Sequence, residues 1–321
     1  MNYKFGWRPS LPAEPKPLTL NFRLPKGTYG PVASDLRTLP HYPAVYDQGQ
    51  EGSCTGNAGA FMIDFPLKEQ GYPWLFTPSR QFIYYNTRSL EGTTDTDAGA
   101  TIANTFKSIS EFGVCPENGN PDWSWPYVVD ATQFKTKPPD PCYKDARLHV
   151  ALTYENVPQD YATMQAVLAA GYPIQIGFTV HNSFMTDAVA KSGVMPKPGF
   201  LDGVAGGHSV AVVGYLPNKA MGDQGVTEWA ICRNSWGAGW GDNGHFYMPW
   251  NEVLLNPNRA SDFWCVHSVG FKGGSTALDT FIEKGKAAMP ALKGADWIQV
   301  ARIVCAIGKP LFDDLCPLIS P

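Results

Sequence analysis

Four stretches of the chain hold residue types that together could open a carbonyl by nucleophilic attack: Gln48-Gly-Gln-Glu-Gly-Ser-Cys54, Gly206-Gly-His208-Ser-Val-Ala-Val-Val-Gly-Tyr215, Arg233-Asn234-Ser-Trp236-Gly237 and Gly239-Trp-Gly-Asp-Asn-Gly244. A thiol attacks at neutral pH only when its anion is stabilised. A helix amino terminus and a neighbouring imidazolium can lower its pKa from about 8.5 to roughly 3 to 4 in the strongest cases. Cys54 precedes Ala58, Phe61, Met62 and Phe65, whose three- and four-residue spacing predicts a buried helix with Cys54 in its first turn. His208 opens an apolar run that reads as a strand, which would hold its backbone rigidly while the ring accepts and then returns a proton. Asn234 could fix the imidazole tautomer by accepting its N–H without adding a competing charge, with Trp236 shielding that bond from water. Gln48, in a glycine-rich turn before Cys54, could aim its side-chain N–H beside the Cys54 backbone N–H, and two such donors make an oxyanion hole. Singly, each residue has an ordinary explanation: a small buried thiol, a hydrogen-bonded strand histidine, a strand-end asparagine, a turn glutamine. Those explanations do not produce this ordered set with these neighbours.

Two textures of chain must position these groups. Eight prolines up to Pro43 predict an extended leader, residues 1–34, with no helix of useful length. The helix at Cys54 should end or kink at Pro66, which cannot donate to the Met62 carbonyl, with Gly71 closing the turn. Thr77-Pro78 reads as the cap and first position of a second helix carrying Phe82, Ile83, Tyr85 and Leu90. Residues 98–112 read as a third helix stopped by Gly113, and 161–170 as a fourth stopped by Gly171. Short strands are expected at 174–180, 209–215, 228–233, 245–248 and 263–271. Helices first and strands later predict an α+β fold of two lobes, 35–271, with the site in the cleft between them. Residues 272–321 read as an appendage of two helices, 277–289 and 296–307, with Cys305 and Cys316 closing its last loop.

Composition narrows the partners. The 321 residues are 44% apolar and 17% charged, enough for a sizeable core. A net charge of -4 argues against nucleic acid as main partner. Seven cysteines include no Cys-x-x-Cys pair, so no structural zinc is expected, and the odd count leaves one thiol over. No signal peptide and no membrane-spanning run is recognised, which leaves localisation open. Gly239-x-Gly241-x-x-Gly244 spells a dinucleotide fingerprint but precedes a strand and Pro249 instead of a helix. Asp95 and Asp97 read as a solvated turn. His149, His181 and His245 read as packing or surface residues, and Trp123, Trp125 and Tyr127 as a core anchor. Residues 297–307 read as a helix packed on its own protein.

The Gln, the Gly-Ser-Cys at a helix start, the Gly-His on a strand and the Asn-Ser-Trp-Gly-x-x-Trp-Gly-x-x-Gly run resemble the papain-like cysteine peptidases, over about Asp35 to Phe271. The resemblance is to short-leader, microbial-type members. It implies a thiol endopeptidase acting on polypeptides, with Cys54 as nucleophile, His208 as general acid and base, Asn234 as orienter and Gln48 as oxyanion donor. No metal or organic cofactor is implied. The family's substrate-binding strand matches Ala98 and Gly99; Gly177, Gly207 and Trp236 complete the expected substrate-binding set. Two departures stand out: Thr55 replaces the usual aromatic after the nucleophile, and Glu51 replaces a half-cystine three residues before it. A transamidase that resolves the acyl-enzyme with an amine, and a silent peptide-binding domain, are the alternatives. The leader is expected to be either an autoinhibitory strap along the cleft, as in a zymogen, or a surface-packed strand.

Overall fold

The helix expected after Gly52 forms as α1 (Cys54–Glu69) and is buried through Leu67. A helix without a polar face has to be enclosed. Helices α2 (Arg80–Leu90) and α3 (Ile102–Phe112) cover one side and the sheet covers the other. Gly59 permits the approach of α3, since a Cβ there would stand 2.8 Å from the Thr105 methyl. The computed structural model describes residues 3–10, 33–69, 76–130, 132–222 and 224–270. The Gly71 turn, the two helices expected beyond 271 and the Cys305–Cys316 loop lie outside these residues.

Three helix boundaries differ from expectation. Helix α1 runs through Pro66 to Glu69. One missing N–H is outweighed by the burial of Phe65 and Leu67, each 1% exposed, and by the Lys68–Asp64 pair at 3.1 Å. Helix α2 is capped by Ser79, whose hydroxyl accepts the Phe82 N–H at 3.1 Å, while Pro78 bridges to Pro116 outside the helix. Helix α3 starts behind Thr101, so residues 98–100 lie ahead of the helix. Two short helices, α4 (Asp140–Ala146) and α6 (Asp187–Ser192), were not anticipated, whereas α5 (Tyr161–Ala169) ends before Gly171 as expected.

The strands form one antiparallel sheet in the order β2-β7-β3-β4-β5-β6, with β1 (Ser34–Asp35) also on β4. The strands are β2 (Val150–Asn156), β3 (Ile174–His181), β4 (Val204–Leu216), β5 (Trp229–Arg233), β6 (His245–Pro249) and β7 (Ala260–Gly270). Strand β4 begins at Val204, ahead of the expected start, so His208 lies within it, paired with Phe178. Successive side chains of β4 point to opposite faces. Ala211 and Val213 enter a core shared with Phe61, Phe65 and Phe106 of the helices. Val210 and Val212 enter a second core with Phe178, Phe246 and Trp250. This α+β fold therefore hinges on one strand buried on both faces, and the residues at its start border both lobes. Among the described residues no helix is long and apolar enough to cross a membrane.

Candidate active site

Cys54 is the first residue of α1, where unsatisfied N–H groups give the helix end a partial positive charge. The first turn is held on two sides. Asn57 donates to Ser53 Oγ at 3.0 Å and accepts from Arg80 Nη1 at 3.1 Å, fastening α1 to α2. Gln175 of β3 donates to the Thr55 carbonyl at 3.2 Å and to Ser209 Oγ at 3.1 Å, fastening α1 to the sheet. The Ser209 backbone also lies beside the Cys54 sulfur and favours its anion, which sets the thiol against the neighbour of His208.

His208 Nε2 donates to Asn234 Oδ1 at 2.8 Å, because an amide oxygen can only accept. The imidazole proton is thereby held on Nε2. Nδ1, buried with no hydrogen-bond partner, is left with the basic lone pair. The same Asn234 oxygen accepts the Ser235 N–H at 2.8 Å. Trp236 stacks on His208 with centroids 4.9 Å apart and planes 27° apart, covering the bond.

Gln48 is clamped by the strand end that carries Asn234. Its N–H donates to the Ser235 carbonyl at 2.8 Å, and Ser235 Oγ donates to Gln48 Oε1 at 2.6 Å. That fixes the amide with Nε2 outward, donating to the Glu51 carbonyl at 2.8 Å and the Lys4 carbonyl at 3.1 Å. Two residues that sequence reasoning passed over, Arg80 and Glu117, and one it read only as a core anchor, Tyr127, form the buttress behind this loop. Arg80 donates to both oxygens of Glu117, at 2.8 and 2.7 Å, and to the Asp47 carbonyl at 2.8 Å. Tyr127 lies 3.8 Å under that guanidinium and donates to the Gln48 carbonyl at 2.9 Å, so it is more than a core anchor. Ser235 had a signal, since it sits inside the Asn-Ser-Trp run; Arg80, Glu117 and Tyr127 had none. Asp97 is no solvated turn residue: its carboxylate accepts the Gly52 N–H at 3.0 Å, the Tyr84 hydroxyl at 2.7 Å and Lys4 Nζ at 3.0 Å. His149 and His245 are buried packing residues.

Residues 3–10 make contact with nearly all of these elements. The Gly6 carbonyl accepts the Ala100 N–H at 2.6 Å, Arg8 N–H donates to the Ala100 carbonyl at 3.0 Å, and Trp7 N–H donates to the Gly207 carbonyl at 3.0 Å. The Trp7 indole fills the space Gly177 leaves open, where a Cβ would lie 1.9 Å from the ring, and its Nε1 donates to Asp262 at 3.2 Å. Tyr3 stacks on Trp236 with centroids 4.0 Å apart. Gly99, at φ +69, approaches so closely that a Cβ would stand 2.0 Å from the Gly6 oxygen. Of the residues expected to bind substrate, Gly99, Gly177, Gly207 and Trp236 thus all face this segment. Ala98 is exposed, and the backbone pairing falls on Ala100 instead.

Burial drives both Cys54 and His208 toward neutrality. The Cys54 thiol is pushed up to about 11 by desolvation, against the Ser209 and Gly6 backbone bonds that favour its anion. His208 is pushed down to about 4 by desolvation, against the Asn234 bond that favours its cation. Both shifts favour the uncharged forms in this covered state, opposite in direction to the ion pair the sequence suggested.

The family model described as papain family cysteine protease matches residues 31–256. A peptidase C1-like protein of Acanthamoeba polyphaga mimivirus is 38% identical over 73% of this chain and 74% of its own length. Cathepsin B-like CP2 of Giardia intestinalis is 28% identical over 70% of this chain and 72% of its own. Among solved structures, xylellain, a cysteine protease from Xylella fastidiosa, superposes with a TM-score of 0.69 at 34% identity, covering 82% of this chain and 95% of that one.

Proposed function

The chain belongs to the papain family of cysteine proteases, and from that we propose that Cys54, His208, Asn234 and Gln48 carry its endopeptidase chemistry. His208 Nδ1 takes the thiol proton, and the Cys54 sulfur attacks the carbonyl carbon of a polypeptide substrate. Gln48 Nε2 and the Cys54 N–H hold the oxyanion, and His208 returns the proton to the leaving amine. Water then attacks the thioester, with His208 again as base, and the sulfur is released. The supporting observation is the 2.8 Å bond from His208 Nε2 to Asn234, which leaves the other ring nitrogen basic. Cys54→Ala should lower hydrolysis of a fluorogenic peptide at least about a thousandfold with the fold intact. Undiminished turnover would refute the assignment.

The same reading takes residues 3–10 as the autoinhibitory strap of a zymogen. In its support, the segment occupies backbone groups of Ala100 and Gly207 on the two lobes, and the Lys4 carbonyl occupies the Gln48 donor. The Gly6 backbone also lies beside the Cys54 thiol, where it favours the anion. Covering also accounts for the neutral pair, because removal of the strap would let water reach both groups.

A further inference from the structure

The helical lobe holds a pair of sulfurs that the proposed reaction does not use. Cys115 follows α3 on the way to Glu117, Cys142 lies in α4, and both are fully buried. They share one small cluster with Phe82 and Ala146, walled by Phe112, Trp125 and Tyr143, and the Cys115 side chain hydrogen-bonds Cys142. Among the described residues no other cysteine is placed to compete. Cys54 is at the start of α1, while Cys232 and Cys265 lie on strands separated by β3 and β4.

We propose that Cys115 and Cys142 form an intramolecular disulfide, made by exchange with a low-molecular-weight disulfide such as oxidised glutathione, that locks α4 onto the helical lobe. The Cys142 sulfur attacks one sulfur of the small disulfide and expels a first thiolate. The Cys115 sulfur then attacks the Cys142 sulfur of the mixed disulfide and expels the second, and the two protein protons leave on the two small thiols released. The hydrogen bond from Cys115 favours the Cys142 anion, making Cys142 the first attacker. Helix α4 provides access: it is 7 residues long and its cap, Pro139, makes no side-chain cap bond, so it opens locally at less cost than the whole fold.

The bond would brace the buttress of the catalytic loop. The Cys115 carbonyl accepts the Ser79 N–H at 2.9 Å, and nearby Glu117 grips Arg80, which in turn holds Asp47 and Asn57. Glu51 stands where papain-like chains carry a half-cystine, so a covalent brace here would supply from the other side of Arg80 what that position lacks. The test uses the full chain carrying Cys54→Ala, treated with oxidised glutathione or with a phosphine reductant, trapped with N-ethylmaleimide in denaturant and peptide-mapped. The expected result is a peptide pair joined through Cys115 and Cys142, with a melting temperature higher by about 4 °C or more than the reduced chain. That rise should vanish in both Cys115→Ala and Cys142→Ala. Full alkylation of either thiol after oxidation, a link to any other cysteine, or a link that leaves melting unchanged would overturn the proposal. The mapping is read on a chain holding both cysteines, so a variant that folds poorly cannot mask the outcome.

Discussion

Asn234 and Ser235 each reach a proposed catalytic group through one side-chain hydrogen bond, so each can be tested alone. With Asn234→Ala the imidazole loses its acceptor and its tautomer is no longer held. The expected outcome is a fall in kcat on the order of tenfold to a hundredfold with little change in KM, read from peptide kinetics. Ser235→Ala removes the donor that keeps the Gln48 oxygen inward. Gln48 can then turn its amide over, and kcat should fall by about tenfold while epoxide labelling of Cys54 proceeds at its normal rate. The four proposed reacting residues were legible because this chemistry demands particular types in a particular order. Arg80, Glu117 and Tyr127 were not, because an arginine, a glutamate and a tyrosine scattered over the chain have meaning only once folding stacks them behind Gln48.

Among the elements, the segment 3–10 carries the sharpest steric constraint. A Cβ on Gly6 would lie 1.6 Å from the Gly52 carbonyl oxygen. Gly6→Ala therefore cannot seat in the present position, and the substitution should displace the proposed strap and raise peptide hydrolysis by about tenfold or more. Deleting residues 1–10 should do the same. In addition, it should lower the pH at which the Cys54 thiolate absorbs in the ultraviolet, since the thiol would no longer be shut away from water. Unchanged hydrolysis in both chains would assign the segment to surface packing. Helix and strand types were readable from apolar spacing, but the ends were set by partners: Pro66 is tolerated because Phe65 and Leu67 are buried, and Ser79 displaces Thr77 because its hydroxyl meets Phe82. Strand β2 was missed because no glycine or proline sets off Val-Ala-Leu-Thr-Tyr-Glu-Asn from the Lys144–His149 stretch before it, and pairing with β7 makes it a strand.

Across the whole molecule, buried titratable groups set opposing pH trends. His149, His208 and His245 are pushed down by burial to about 3, 4 and 4. An unfolded histidine titrates near 6.5, so between those values the unfolded chain binds protons the native one refuses. These three imidazoles therefore remove stability as pH falls below about 6.5. Glu51, pushed up to about 7 by burial, works the other way: the native carboxyl keeps a proton that the unfolded one gives up, so stability is lost as pH rises toward 7. Glu51→Gln removes only that second effect, and its gain in melting temperature should be larger at about pH 8 than at about pH 5. An equal gain at both would contradict the raised carboxyl. Strand order and the seating of Trp7 on Gly177 were beyond the sequence, since both depend on surfaces that exist only after collapse. The pairing of Trp7 with one lobe and Arg8 with the other makes these two amides a clock for the proposed latency. Each can swap its hydrogen for deuterium only while the latch is undone. Under the strap proposal, the residual cutting of an intact chain should then equal the rate of an unlatched chain multiplied by that undone fraction, so heavy-water exchange at two backbone positions would forecast the leak.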